Sequence, residues 1–324
     1  MSFDFPEIFE PKILEIEEPN YKEIKSMKGY TYIELSNGLG VAIDTNELYN
    51  YLATIDGTSE IEHLKIGYES CLENVEIIKV FPNLKGLHVS GRNIMSLDGL
   101  EVYKGECLNI DTVTRKRNIE KISSVPIKRL FFYHEKANDF EAISHCHSLE
   151  WLEISKSPAP DFYEWRNVPL GYLKFMQGKF TELHDMAHVK TLKEIMLGDC
   201  RKFERFTGDN SNIESLTIVG CKRFDVRSID SLQGLEYLCI NDCAHEVALS
   251  DLPYLPNIRF VKLLSSKTNP DIYDLKKKMP KLEYMLISKM ANEQVILLSE
   301  ANADVAIEKK GKRYLNGVFV KRTY

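Results

Sequence analysis

Three cysteines are the first residues whose type and spacing could carry chemistry. Cys200, Cys221 and Cys243 follow one another at steps of 21 and 22 residues, and thiolates serve both as zinc ligands and as redox groups. No fourth ligand recurs in phase with them, whereas apolar residues recur at the same step along most of the chain. We therefore expect three reduced thiols in the core, with no disulfide and no bound metal.

Two histidines also have a spacing that metal sites use. His184 and His188 are four residues apart, which would place both side chains on one face of a helix. Asp185 follows His184, so the H-E-x-x-H pattern of zinc proteases is absent, and no third ligand is evident. The spacing therefore predicts a surface helix rather than a zinc site.

A group of cations lies close together in the sequence between positions 201 and 227. Acidic residues at positions 199, 204 and 225 are interleaved with them, which favours a solvated edge; a patch for an anionic partner is the alternative. The cations are Arg201, Lys202, Arg205, Lys222, Arg223 and Arg227.

Motifs of catalysis are absent from the sequence. It contains no glycine-rich phosphate loop, no nucleophile elbow, no kinase motif set and no deaminase zinc motif. The sequence therefore predicts a protein that is not an enzyme and needs no cofactor. An enzyme with an unrecognised site is the alternative.

Composition limits the partners and the compartment. The chain has 324 residues, 44% of them hydrophobic, and 42 basic against 48 acidic residues, a net charge of −6 that does not suit a general nucleic-acid binder. The sequence shows neither a signal peptide nor an apolar stretch of about 18 residues, and its seven cysteines are an odd number. We expect a cytoplasmic protein, monomeric rather than oligomeric, with neither a membrane nor a nucleic-acid partner.

An apolar repeat must position all of these residues. The pattern apolar-x-x-apolar-x-apolar occurs eleven times, with a mean step of (282 − 61)/10, or 22.1 residues. Positions 4 and 6 of each unit should point inward and positions 3, 5 and 7 outward, as in a strand, and the three cysteines fall on position 9. The units start at Ile61, Leu84, Gly105, Ile127, Leu149, Leu170, Leu192, Ile213, Leu235, Ile258 and Leu282.

This unit resembles the leucine-rich repeat family, whose pattern is L-x-x-L-x-L-x-x-N/C-x-L, and its short step is similar to the bacterial and SDS22-like class. The resemblance covers about 230 residues. It implies an α/β solenoid, a horseshoe with about eleven parallel strands on the concave face and short helical or 3-10 segments on the convex side. It also implies a binding module whose specificity lies in the non-consensus residues.

The ends depart from the repeat, which predicts three regions. Residues 1–60 should form an N-terminal cap with a hairpin, from Tyr30–Leu35 through Asn37-Gly38 into Val41–Ile43, and a short helix near Asn46–Leu52. Residues 61–290 should hold the repeats. Residues 291–324 should form a β-rich C-terminal cap that includes the apolar run 294–298.

The outward strand positions carry the functional signal. Aromatic residues gather there in two groups, around Trp151 and around Phe260, and large rings on solvent-facing positions are typical of protein interfaces. We expect Trp151 to anchor a protein partner, with Tyr237, Phe260 and Tyr284 as the second choice. The candidate partner-binding residues are Arg129, Phe131, Tyr133, Trp151, Glu153, Tyr172, Lys174, Glu194, Met196, Tyr237, Phe260 and Tyr284.

The predicted function is therefore non-enzymatic recognition of a protein on the concave face. One candidate within this class is a bacterial immunity or antitoxin-like protein that occludes a toxin. The alternative is an SDS22-like regulatory scaffold that docks on an enzyme such as a phosphatase. The sequence does not separate these two.

Overall fold

The computed structural model describes residues 12–37, 43–111, 118–134, 138–243 and 246–320. The chain divides into two compact units, Met1–Leu152 and Glu153–Tyr324, which we call unit 1 and unit 2. Each is described by itself.

Unit 1 is built on a sheet of parallel strands. Neighbouring strands from β1 to β6 pair in parallel without a register shift, and β7 (Trp151–Ser155) straddles the unit boundary. The strands are β1 (Ile13–Glu17), β2 (Tyr32–Ser36), β3 (His63–Ile66), β4 (Gly86–Val89), β5 (Cys107–Ile110) and β6 (Arg129–Tyr133). The helices are α1 (Thr45–Leu52) and α2 (Asn138–Ser144), with 3-10 segments at Glu18–Glu23, Thr58–Glu60, Glu76–Val80, Leu100–Val102 and Ile119–Ser124.

Unit 2 repeats this plan and ends in an antiparallel ribbon. Its main sheet contains β8 (Tyr172–Met176), β10 (Glu194–Gly198), β12 (Ser215–Val219), β13 (Tyr237–Asn241), β15 (Phe260–Asn269), β16 (Tyr284–Lys289), β17 (Ala306–Lys309), β18 (Lys312–Leu315) and β19 (Val318–Val320). The remaining elements are β9 (Glu182–His184), β11 (Arg205–Thr207), β14 (Glu246–Ala248), α3 (Asn292–Ala301) and 3-10 segments at Met186–His188, Val226–Ser231, Leu249–Asp251 and Leu275–Lys277.

The predicted repeat fold is confirmed. Each of the eleven predicted strands begins two residues after its unit start, at unit position 3: the unit of Ile61 gives a strand from His63, and that of Leu282 a strand from Tyr284. The inward positions form the core, as with Leu216 and Ile218, which are fully buried. Burial of these aliphatic side chains is the main force that stacks one repeat on the next.

Hydrogen bonds from the residue before a unit start fix the phase of the repeat. This residue donates a side-chain hydrogen bond to backbone carbonyl oxygens that lie about one repeat earlier in the chain. Asn212 Nδ2 reaches three carbonyl oxygens, those of Met186, Val189 and Leu192. One hydrogen bond of this kind, from side chain to backbone carbonyl oxygen, is made by each of Asn83, Ser148, Thr191 and Asn257.

The N-terminal region differs from the predicted hairpin. Strand β2 has β1 on one edge and β3 on the other, both parallel, so the expected antiparallel arm cannot pair with it. The turn and most of that arm, residues 38–42, lie outside the described residues. The predicted helix is confirmed: α1 begins after Asp44, whose side chain accepts hydrogen bonds from the backbone N–H groups of Asn46 and Glu47.

Two predicted elements are wrong in type. The apolar run 294–298 belongs to helix α3, in which Val295 and Leu298 are buried three positions apart. The segment of His184 and His188 is no helix, because β9 precedes a 3-10 turn there and Asp185 has a positive φ of 53° between them. Strand β9 instead pairs in parallel with β11 as a small separate sheet.

Candidate protein-binding face

The outward positions of the main strands form what we call the open face of each unit. All twelve candidate residues lie on strands: Arg129 is exposed, and the other eleven are partly exposed. Unit 1 contains Arg129, Phe131, Tyr133 and Trp151, and unit 2 contains Glu153, Tyr172, Lys174, Glu194, Met196, Tyr237, Phe260 and Tyr284.

In unit 1, Trp151 forms an aromatic group that we call the tryptophan patch, with Arg129 and Phe131. The rings of Phe131 and Trp151 meet edge to face with centroids 5.0 Å apart. The guanidinium of Arg129 lies 5.6 Å from the centroid of Trp151, within the range of a cation–π contact. The indole is therefore held in place by these two neighbours.

In unit 2, the candidates on β7, β8 and β10 largely engage one another. Lys174 and Glu153 form an ion pair of 2.9 Å, each with only 21% of its side chain exposed. The Tyr172 hydroxyl lies 3.7 Å from the sulfur of Met196. Burial, followed by the carboxylates of Glu194 and Glu153, raises the pKa of Tyr172, and burial also raises the pKa of Glu194.

At the other end of the same face, Tyr237, Phe260 and Tyr284 form what we call the tyrosine row. They are direct register partners on β13, β15 and β16, so neighbouring rings start about 4.8 Å apart. Each ring also contacts a cation. The distances from ring centroid to cation are 5.1 Å for Lys262 on Tyr237, 5.2 Å for Arg259 on Phe260 and 5.7 Å for Arg313 on Tyr284.

The cations along the tyrosine row differ in how far they are neutralised. Arg259 makes two hydrogen bonds to the carboxylate of Glu283, at 2.8 and 3.2 Å. Arg313 approaches Glu308 only to 3.8 Å, and that carboxylate also accepts a hydrogen bond of 3.0 Å from the Tyr284 hydroxyl. Lys262 has no carboxylate within ion-pair distance among the described residues, so this part of the face is cationic.

The structure also shows a cleft that the sequence analysis missed. It lies on unit 1 with a volume of about 600 Å³ and is lined by Glu34, Lys65, Tyr68, His88, Ser90, Arg92 and Asp111. Its charges are paired, as in Lys65–Glu34 at 2.8 Å and His88–Asp111 at 2.9 Å. The sequence did carry a signal for this cleft, namely charged residues at outward positions of neighbouring strands. It could not be used, because β2 was not recognised as a strand of the sheet and so could not be aligned with β3.

The position-9 cysteines are core residues, as predicted. Cys200 and Cys221 are fully buried, Cys243 is 2% exposed, and all seven cysteines are free thiols. The backbone N–H of Gly178 donates to the Cys200 sulfur at 3.2 Å. A hydrogen bond with Cys200 and burial both raise the pKa of Cys221, and burial raises the pKa of Cys243 to about 11.

The other candidate chemistry is structural in the described residues. His184 contacts Asp185 at 2.7 Å and Thr207 at 3.0 Å, whereas His188 packs its ring on Tyr163. Across the described ranges, no group of three or more His, Cys, Asp or Glu side chains is placed to hold a metal ion. The part of the chain that the structure describes has no helix long and apolar enough to cross a membrane.

The cations between 201 and 227 are largely paired with acidic neighbours, as a solvated edge requires. Arg205 meets Glu182 at 3.2 Å, and Lys222 meets Asp242 at 2.7 Å. Arg223 and Arg227 pair with Glu204 and Asp225.

Comparisons with known proteins agree on the fold alone. No protein-family model and no curated protein matches the chain. The structure of a TLR13–ssRNA13 complex is similar with a TM-score of 0.51 and 13% identity, over 91% of this chain and 54% of that one. An internalin (inlF) from Listeria monocytogenes is similar with a TM-score of 0.45 and 12% identity, over 78% of this chain and 81% of that one. A leucine-rich repeat protein from Leptospira interrogans has a TM-score of 0.43 and 12% identity, over 90% of this chain and 82% of that one. The chain has the leucine-rich repeat fold.

Proposed function

We propose that the protein is a non-enzymatic binding module that recognises another protein through the open face of unit 2. The tyrosine row carries this proposal, because three large rings stand side by side on solvent-facing strand positions with cations beside them. Tyrosine and arginine dominate the residues that supply most of the binding energy in protein interfaces. An aromatic side chain also has few rotatable bonds, so ordering it in a complex costs little entropy.

The chemistry of this face supports binding over catalysis. Glu153 and Lys174 neutralise each other, and the hydroxyl of Tyr284 is held by Glu308. Groups engaged in this way fix the shape of a surface, which favours a rigid docking platform.

The tryptophan patch of unit 1 is proposed as a second contact. Its indole is already oriented by Phe131 and Arg129, so a partner would gain its buried area without first ordering it. We expect Trp151→Ala to weaken binding by roughly 2 kcal/mol.

For the partner, we propose a toxin that this protein inhibits in the cytoplasm, acting as a monomer. A repeat platform with an ordered aromatic surface can cover an active site without contributing chemistry of its own. The odd number of cysteines supports a reducing compartment. The SDS22-like alternative, a scaffold on a regulated enzyme, uses the same face and differs in the identity of the captured protein.

The test begins with capture of partners from the native host, using the full chain as bait and mass spectrometry as readout. Calorimetric titration of the captured partner then compares wild-type protein with Phe260→Ala and Tyr237→Ala. Each should weaken binding by roughly 2 kcal/mol, the range of interface hot spots.

The matched control is Tyr254→Ala, because Tyr254 is 56% exposed but does not lie on a strand. It should leave the affinity unchanged. Equal affinities for wild type, Phe260→Ala and Tyr237→Ala, with unchanged melting temperatures, would contradict the proposal.

A further inference from the structure

The C-terminal ribbon continues the open face of unit 2 beyond the last repeat. Strand β17 pairs with β16 so that Glu308 lies beside Leu286, an outward residue. Antiparallel pairing then places Arg313 opposite Glu308 and Val320 opposite Arg313. Because cross-strand partners point to the same side of a sheet, Arg313, Leu315, Val318 and Val320 all belong to the open face.

This extension is apolar and unusually exposed. Leu315 is 41% exposed, Val318 64% and Val320 40%, whereas Tyr314 and Phe319 pair their rings on the opposite side at 6.2 Å. Among the described residues β19 pairs with β18 alone, and an edge strand with apolar side chains is a surface that proteins normally blunt or use for pairing. Here it lies next to the tyrosine row, since Arg313 contacts the ring of Tyr284.

The charges around this surface point to the chemistry of its partner. Lys262 on the open face and the exposed Lys310 in the turn of the ribbon have no carboxylate within ion-pair distance among the described residues. Lys312 pairs with Lys309 and therefore lies on the opposite side of the ribbon, with Tyr314. The carboxylate closest to Arg313 is Glu308, which is only 5% exposed and already bonded to Tyr284. The chain as a whole is acidic, so this cationic end is a local feature that an acidic partner would complement.

We propose that the ribbon β18–β19 is part of the binding surface and that it receives an acidic, partly apolar segment of the partner protein. Acidic side chains of that segment meet Lys262 and Arg313, and its apolar side chains cover Leu315, Val318 and Val320. This inference rests on the proposed function and adds both the extent of the surface and the chemistry of the partner.

The test uses a phage-displayed library of random short peptides selected on the full-length protein. Enriched peptides should combine Asp or Glu with Val, Ile, Leu or Phe. For a synthetic copy of the best peptide, fluorescence anisotropy should show roughly tenfold weaker binding to Val318→Ser and to Arg313→Gln. Val318 is exposed and 40% of the Arg313 side chain is exposed, so a melt of each variant should stay close to wild type.

Control variants separate the two proposals. Val102→Ser and Arg201→Gln change an exposed valine and an exposed arginine elsewhere and should bind the peptide like wild type. Binding that is lost in Phe260→Ala but unchanged in Val318→Ser and Arg313→Gln would overturn this inference while the proposed function stands. Binding that is insensitive to all three changes, or a selection without acidic enrichment, would also overturn it.

Two other occupants are outcomes that would refute an acidic protein segment. Light scattering that shows a wild-type dimer, lost in Val318→Ser, would assign the surface to a second copy of the chain. Binding of a short single-stranded RNA that is lost in Arg313→Gln, with no acidic peptide recovered, would assign it to nucleic acid.

Discussion

At the scale of single residues, Tyr284 has two tasks that can be separated. Its ring belongs to the tyrosine row, and its hydroxyl donates a hydrogen bond to the buried carboxylate of Glu308. Hydrogen bonds to charged groups contribute about 1.5–3 kcal/mol to stability. In the proposed function the ring therefore serves binding, whereas the hydroxyl stabilises the fold.

We expect Tyr284→Phe to lower the free energy of unfolding by about 2 kcal/mol, because it removes the hydroxyl donor while keeping the ring. Urea unfolding measures the change. Tyr254→Phe is the control, since Tyr254 is 56% exposed and its hydroxyl makes no hydrogen bond to the described residues. Equal stabilities for the two variants would show that the Tyr284–Glu308 bond contributes nothing.

Because several thiols are buried, we expect the free energy of unfolding to fall at alkaline pH. Burial raises the pKa of Cys146 to about 12, and that of Cys243 to about 11. Unfolded thiols begin to release protons near pH 8.5, whereas the folded ones keep them, so stability falls from there until the folded pKa is reached. Each thiol contributes up to about 1.4 kcal/mol per pH unit in that window.

Urea unfolding of wild type, Cys146→Ala and Cys243→Ala between about pH 8.5 and 11 tests this account. The variants should lose less stability than wild type over the window, because each lacks one of the thiols that disfavour the folded state when ionised. If the free energy of unfolding falls with pH by the same amount in all three proteins, the thiols do not remain protonated in the core.

At the scale of elements, the phase of each repeat depends on a hydrogen-bonding side chain before the strand. Asn212 makes three such bonds, at 3.4, 3.1 and 2.8 Å, and Asn83 makes one, at 2.7 Å. We expect Asn212→Ala to reduce the free energy of unfolding by about 2 kcal/mol, since it removes all three bonds and leaves only the Met186 and Val189 carbonyl oxygens with backbone partners. Asn83→Ala should lose less.

Thermal and urea melts of both variants provide the comparison. If Asn83→Ala lowers the free energy of unfolding more than Asn212→Ala does, the number of hydrogen bonds does not determine how much each side chain stabilises its repeat.

The strands could be predicted from the sequence because burial imposes a strict period on them. Leu216 and Ile218 alternate with exposed residues and recur in the next unit, so the pattern reports both strand and step. Strands β1 and β2 follow the same alternation, but α1 is inserted between β2 and β3 and breaks the constant step. A run such as 294–298 suits a strand as well as a helix, and packing on its neighbours decided in favour of α3.

The candidate site was predictable only in part, for a related reason. Outward positions follow from the period, so Tyr237, Phe260 and Tyr284 could be placed on one face from the sequence. Lys262 also follows from the period, but the cation beside Tyr284 does not, because Arg313 reaches Tyr284 from an antiparallel strand that lies outside the repeat. The cleft that includes Glu34 was missed because it can be located only when the pairing register of β2 with β3 is known.

At the scale of the whole molecule, the fold separates the residues that form the core from those that face outward. Inward positions of every repeat supply the core, and the outward positions are free to vary in type without disturbing it. The central claim is that a protein contacts the outward side of unit 2 at the tyrosine row. This claim can be tested before the partner has been identified.

The most direct measurement is site-specific photo-crosslinking in extract of the native host, with p-benzoylphenylalanine introduced in place of Phe260. The same substitution at Tyr254, which is exposed but does not lie on the open face, is the control. The account predicts a covalent adduct with one protein from position 260 and none from position 254. Equal adducts from both positions, or none from position 260 under conditions in which the wild-type chain captures its partner, would contradict it.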